Sequence, residues 1–172
     1  MDECIFCKIA NKTISSYIVY EDNDIIAVLD IFPPNKGSVL IFPKLHIEDF
    51  SDINDNLNGK LFTLTKIILS ILKNKLKFTG ANIIVSYGDT GLYQSTKHFV
   101  IHIIPRYDGD NLNLRLRRYR EEPQSLEELK NYILNELIRI SQENLKKETK
   151  VEKKVEEKKE YKNVDVWFRQ KI

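Results

Sequence analysis

The run HFVIHIIPR, residues 98–106, constrains the 172-residue chain more than any other stretch. Turn-forming residues precede it in YQSTK, and Pro105 reads as its expected stop. Its β-branched and aromatic content reads as a strand. Side chains on a strand alternate between faces, so His98, Val100 and His102 share one face. The chain holds only three histidines, and two of them stand here with an inert valine between them. Any fold must accommodate a polar row whose centre is apolar.

The pattern around this strand supplies the architecture. SYIVYED and DIIAVLD, separated by Asp22-Asn23-Asp24, read as a hairpin. FPPNKG is a loop, and SVLIFP is a third, apolar strand. From Asn54 to Lys77 the period becomes helical. Leu57, Leu61, Leu64, Ile68, Ile71 and Leu76 form one stripe, Asn54 or Asp55 caps its start, and Gly80 ends it. ANIIVS is a further strand before HFVIHIIP, joined to it by the turn-rich YGDTGLYQS. Three strands, a helix and two strands predict an antiparallel α+β sheet rather than repeated βαβ units.

Beyond Arg106 the composition changes. SLEELKNYILNELIRI predicts an amphipathic helix with Ser125 as its cap, Glu128 at the capping-box position, and a stripe through Leu126, Leu129, Ile133, Leu137 and Ile140. Residues 146–172 follow as a charged tail. Lys146, Lys150, Lys154 and Lys158 repeat every four residues, as do Glu148, Glu152, Glu156 and Glu160. Like charges then stack in rows, which disfavours a helix, so a solvated segment is expected. NVDVWFRQ near the end regains strand character. It either docks, on this domain or on a protein partner, or is simply the end of a tail. The expected divisions are residues 1–122, a helix over 123–145, and the tail.

Net charge is +2 with 42% hydrophobic residues. That balance gives no global pull toward nucleic acid or an anionic membrane, and no apolar run approaches the ~20 residues of a span. MDECIFCKIANK lacks the long apolar core of a signal peptide. A cytoplasmic location is the default, and there Cys4 and Cys7 stay reduced.

Cys4-x-x-Cys7 is ambiguous by itself. A redox pair needs a helix N-terminus after a strand, and this pair stands at the start of the chain. Two small buried apolar residues are one reading. A metal site is another, and it needs two more ligands. His46, after SVLIFPK, and His98 are available, and Cys₂His₂ is a closed zinc site of structural type. Asp30 ends a strand, where a carboxylate is a turn-former or an acceptor for a ribose diol. His102 is either a core histidine or a phosphate-facing one, and Arg106 is a surface or structural cation.

CIFCKI, YEDNDIIAVLDIFPPNKG, VLIFPKLH and QSTKHFVIHIIPRYDGD together resemble the histidine-triad (HIT) family in its Hint-like branch, from about Glu3 to Ile140. The resemblance implies an α+β domain on a five-stranded antiparallel sheet, a homodimer, and purine-nucleotide binding of the AMP or GMP type. It also implies nucleotidyl hydrolysis or transfer, in which the middle histidine of three attacks the α-phosphorus. Carried over, zinc falls on Cys4, Cys7, His46 and His98. The ribose acceptor falls on Asp30. The apolar nucleoside pocket falls on Ile5, Phe6, Ile9 and Ile14, with Val28, Ile31 and Leu40. Ser86, Ser95 and His102 fall at the phosphate end.

HIIPR anchors His102 as the third triad member, so Val100 stands at the nucleophile's position. Valine has no lone pair to attack phosphorus. His102 lies two residues along, roughly 6.6 Å away, whereas in-line attack needs contact near ~3–3.5 Å. Gly37-Ser38 replaces the family's Gly-His, Ser86-Tyr87-Gly88 replaces its Asn-x-Gly, and the following loop is one residue longer. The resemblance therefore implies a zinc-stabilised nucleotide binder with weak or absent catalysis. Its rivals are an active hydrolase using His102 and a dimeric interaction module.

Overall fold

The computed structural model describes residues 4–88, 96–113 and 120–145. The first helix, α1 (Ile5–Ala10), precedes the sheet. The sheet comprises β1 (Ile18–Glu21), β2 (Ile25–Leu29), β3 (Val39–Pro43), β4 (Gly80–Ser86) and β5 (Val100–Arg106), with α2 (Asp55–Leu76) between β3 and β4. The strand order is β1-β2-β3-β5-β4, and every neighbouring pair is antiparallel. This is the expected α+β architecture. The hairpin turns because Asp22 Oδ1 accepts the N–H groups of Asp24 and Ile25, both at 2.8 Å, an Asx-type turn.

Alternation along the strands builds two cores. Ile25, Ala27, Val39, Ile41, Ile101 and Ile103 face one side, where Leu61, Leu64 and Ile68 of α2 cover them. Ile26, Val28, Phe42 and Val100 face the other, packed with Phe6, Cys7 and Ile9 of α1. The helix α1 was not foreseen. It exists because Phe6, Cys7, Ile9 and Ala10 all bury against the sheet, which outweighs the poor stability of a six-residue helix alone.

α2 starts where expected, with Asn54 Oδ1 accepting the Leu57 N–H at 3.0 Å. Its end differs. The helix stops at Leu76, Lys77 takes the left-handed conformation at φ 55°, and Gly80 opens β4 rather than ending the helix. Ile71 lies at the rim of the stripe and is exposed, while Leu69 and Leu72 pack against the core in its place.

The chain divides into two compact units, Met1–Leu114 and Arg115–Ile172. The second contributes a helix, α3, over 123–145. Ser125 is not its cap. Leu126 N–H already bonds to Glu122 C=O at 3.1 Å, so Pro123 occupies the first turn, where its missing N–H costs nothing. The stripe Leu126, Leu129, Ile133, Leu137 and Ile140 is exposed. The charged tail lies outside the described residues. No helix among those described is long and apolar enough to cross a membrane.

Candidate functional site

Cys4, Cys7, His46 and His98 converge, with their four ligand atoms within 4.8 Å of one another. Cys4 is the N-cap of α1 and Cys7 lies in its first turn, so one short helix presents both thiols. His46 follows β3 and His98 precedes β5, two strands that pair directly. The contacts are Cys4 Sγ to His98 Nδ1 at 3.4 Å, Cys7 Sγ to His46 Nδ1 at 3.3 Å, and Cys7 Sγ to His98 Nδ1 at 3.8 Å. Zn–S bonds of ~2.3 Å and Zn–N bonds of ~2.0–2.1 Å in a tetrahedron put ligand atoms ~3.3–3.8 Å apart. The donor set and these spacings therefore fit zinc.

The outer contacts fix the tautomers. His98 Nε2 faces the Pro43 carbonyl at 3.0 Å, and His46 Nε2 faces Glu48 Oε1 at 3.1 Å. Both acceptors require a proton on Nε2, which leaves each Nδ1 as a lone-pair donor. Those two Nδ1 atoms meet at 3.3 Å. Facing lone pairs repel, and a cation between them removes the repulsion; histidine ligands are commonly oriented by such partners.

The redox reading of the cysteine pair loses support here. The pair does stand at a helix N-terminus, but reactive thiols need lowered pKa values. Burial, reinforced by Cys4, pushes the Cys7 thiol up to about 11. Burial likewise drives His98 down to about 4. Metal binding at Cys7 must therefore displace a thiol proton.

The polar row occupies β5 on the α1 side. Val100 is completely buried and packs with Phe6, Ile9, Val28 and Leu40. His102 is buried between Leu40 of β3 and Ile84 of β4. Desolvation lowers its pKa, and the Asp30 carboxylate opposes that shift. Asp30 is half-buried at the end of β2, with Oδ1 accepting the Phe32 N–H at 2.9 Å. Ser86 is buried opposite Val100 across the β4–β5 ladder. Ile5, Ile14 and Ile31 are exposed and lie outside this apolar cluster. Ser95 lies outside the described residues.

Arg106 does not point to a ligand. It grips Asp110 through Nε to Oδ2 at 2.7 Å and Nη2 to Oδ1 at 2.9 Å. That hydrogen-bonded grip holds the Asp110 carboxyl well below the ordinary range. No local pattern marks this pairing; the motif YDGD after Arg106 is its only trace in the sequence.

Fold and site together define an α+β domain with a helix on one sheet face and, on the other, a Cys₂His₂ cluster beside a polar row. The chain belongs to the HIT domain family, which it matches over residues 11–109. An uncharacterised HIT-like protein of Methanocaldococcus jannaschii is 44% identical over 107 residues, 62% of this chain and 81% of that protein. A histidine triad nucleotide-binding protein from Candida albicans superposes with a TM-score of 0.69 at 27% identity, covering 80% of this chain and 99% of that one. A Zn-bound histidine triad family protein from Mycobacterium smegmatis gives 0.59 at 29% identity, covering 70% and 86%.

Proposed function

We propose that this chain is a zinc-stabilised HIT protein of the Hint-like, Cys-x-x-Cys type that binds a purine nucleotide and turns it over poorly or not at all. The observation that carries this reading is Val100, fully buried at the centre of the row between His98 and His102. A branched hydrocarbon there neither attacks phosphorus nor carries a proton. Cys4, Cys7, His46 and His98 hold the zinc. A closed four-ligand site contributes folding energy rather than chemistry.

Asp30 accepts the ribose hydroxyls of an AMP- or GMP-like ligand through its carboxylate. Phe6, Ile9, Val28 and Leu40 back the nucleoside pocket, with Ile5, Ile14 and Ile31 at its rim. His102, Ser86 and Ser95 serve the phosphate end. The Candida relative, described as nucleotide-binding, and the Zn-bound mycobacterial one support the two halves of this reading. The functional chain is a cytoplasmic homodimer whose HIT domain spans 1–122, followed by the helix over 123–145 and a tail, 146–172, available to a protein partner.

The test is hydrolysis of an adenosine phosphoramidate by the zinc-loaded protein. Turnover far below ordinary enzyme rates is expected. Rapid turnover abolished by His102→Ala would show instead a rerouted enzyme.

A further inference from the structure

The loop from Asp30 to Ser38 carries the proposed ribose acceptor, and it is tied at both ends. Asp30 N–H donates to Ser38 C=O at 3.0 Å, closing the loop on itself. Ser38 in turn donates twice to the Asn35 carbonyl, from Oγ at 2.7 Å and from its N–H at 3.2 Å. The Asn35 side chain then leaves the loop. Its Nδ2 donates to Pro105 C=O at 3.0 Å and to Asp110 Oδ2 at 2.8 Å. Asn35 is thus the coupler between this loop and the end of β5.

Asp110 is the fixed point. Besides Asn35 and the two bonds from Arg106, it accepts the Tyr107 N–H at 3.1 Å and the Leu112 N–H at 3.0 Å. Five donors on one carboxylate exhaust its lone pairs, which only the ionised acid offers. Arg106 is anchored further by Nη1 to Asn82 Oδ1 at 2.9 Å, tying the hub to β4. Tyr107 adds a second strap, its hydroxyl donating to Lys36 C=O at 2.9 Å. Gly37 completes the turn at φ +83°, where a Cβ would stand 2.3 Å from Leu76 Cδ1.

We propose that Asp110 and Asn35 are positioning residues of the nucleotide site: they clamp the 30–38 loop to the sheet and so hold Asp30 at the ribose. The proposal rests on the assignment of Asp30 as ribose acceptor. Neither residue touches the ligand. Their contribution is preorganisation, since an acceptor already held in place loses less entropy on binding.

The experiment compares full-length, zinc-loaded Asp110→Asn and Asn35→Ala with wild type in two readouts. The amide introduced by Asp110→Asn would turn an N–H₂ toward groups that are themselves donors, while Asn35→Ala removes the coupler and leaves the Arg106–Asp110 pair intact. Amide hydrogen exchange at Asp30 and Ser38 should accelerate by roughly tenfold in both, the scale of one lost hydrogen bond to a charged group. β2 and β3 should keep wild-type protection. AMP binding should weaken by a similar factor and adenine binding should not, because adenine has no ribose. On an Asp30→Ala background the AMP effect should vanish. Unchanged exchange at Asp30 and Ser38 in both variants overturns the clamp. A loosened loop with unchanged AMP affinity, or equal losses on the Asp30→Ala background, overturns the positioning role. If wild type binds no AMP at all, the ribose role falls with the proposed function, while the exchange data still decide the clamp.

Discussion

At the scale of single residues, the molecule concentrates its chemistry on two rows of side chains that share one sheet face. In the first, His46 and His98 are locked by Glu48 and Pro43 with both Nδ1 atoms turned inward. Purified protein should carry about one zinc ion per chain, the stoichiometry of one closed Cys₂His₂ site. Cys4→Ser should lower both zinc content and the thermal midpoint, because metal binding is linked to folding; elemental analysis beside a thermal melt checks this, and zinc-free, fully stable wild type contradicts it. In the second row, Val100→His should restore part of the hydrolytic activity. Loss of a nucleophile removes on the order of 10⁴–10⁶ of a covalent rate, and Ser38 and Ser86 still differ from the family pattern after the repair. Failure of Val100→His to exceed wild type in a phosphoramidate assay would show that those positions limit the site more than the valine. His102 gives a pH dependence. Its pKa is lowered in the fold by burial, so the unfolded chain takes up the proton more readily. Stability is therefore full above ~6.5 and falls as pH drops below it. Urea unfolding at pH 7.5 and 5.5 should show this loss, with His98 adding to it in metal-free protein, and His102→Gln should reduce it.

The same scale shows what sequence reveals. The convergence of Cys4, Cys7, His46 and His98 was legible because the chain holds only two cysteines and three histidines. Pro43, Glu48, Asn35 and Asp110 were not. A backbone carbonyl has no sequence signature, and Asn35 meets Asp110 only because the β3–β5 pairing brings their loops together.

Elements were legible by period and illegible where tertiary contact decides. α2 follows from its helical period and from Asn54 at its start. The five strands follow from their β-branched and apolar runs, although β5 continues through Pro105 to Arg106 rather than stopping at the proline. α1 did not, since six residues carry too few turns to show a period. The end of α2 was misplaced because Lys77, not a glycine, takes the left-handed turn. That position offers a stabilising change. A non-glycine residue there costs roughly 1–2 kcal/mol, so Lys77→Gly should raise stability by about 1 kcal/mol in denaturant unfolding. In the helix middle the sign reverses. Leu61 is completely buried beneath the sheet, and Leu61→Ala should cost about 2–5 kcal/mol, transfer and cavity together. An unchanged denaturation midpoint for Leu61→Ala would mean that α2 does not cover the core as described.

For the whole molecule, the division of labour follows from the two sheet faces. One face is occupied by α2 and serves stability. The other carries the Cys₂His₂ cluster at one end of the β3–β5 pair and Asp30 with His102 toward the other, with Val100 filling the place between. On the proposed reading, this arrangement keeps the parts that bind a nucleotide and lacks the atom that attacks it. The most direct measurement of that claim is a calorimetric titration of zinc-loaded protein with AMP, alongside Asp30→Ala. The account predicts saturable binding to wild type, and a loss of about 1–3 kcal/mol in the variant, the range for hydrogen bonds to a charged group. Absence of any purine-nucleotide binding at millimolar concentration would contradict it and favour the interaction-module reading.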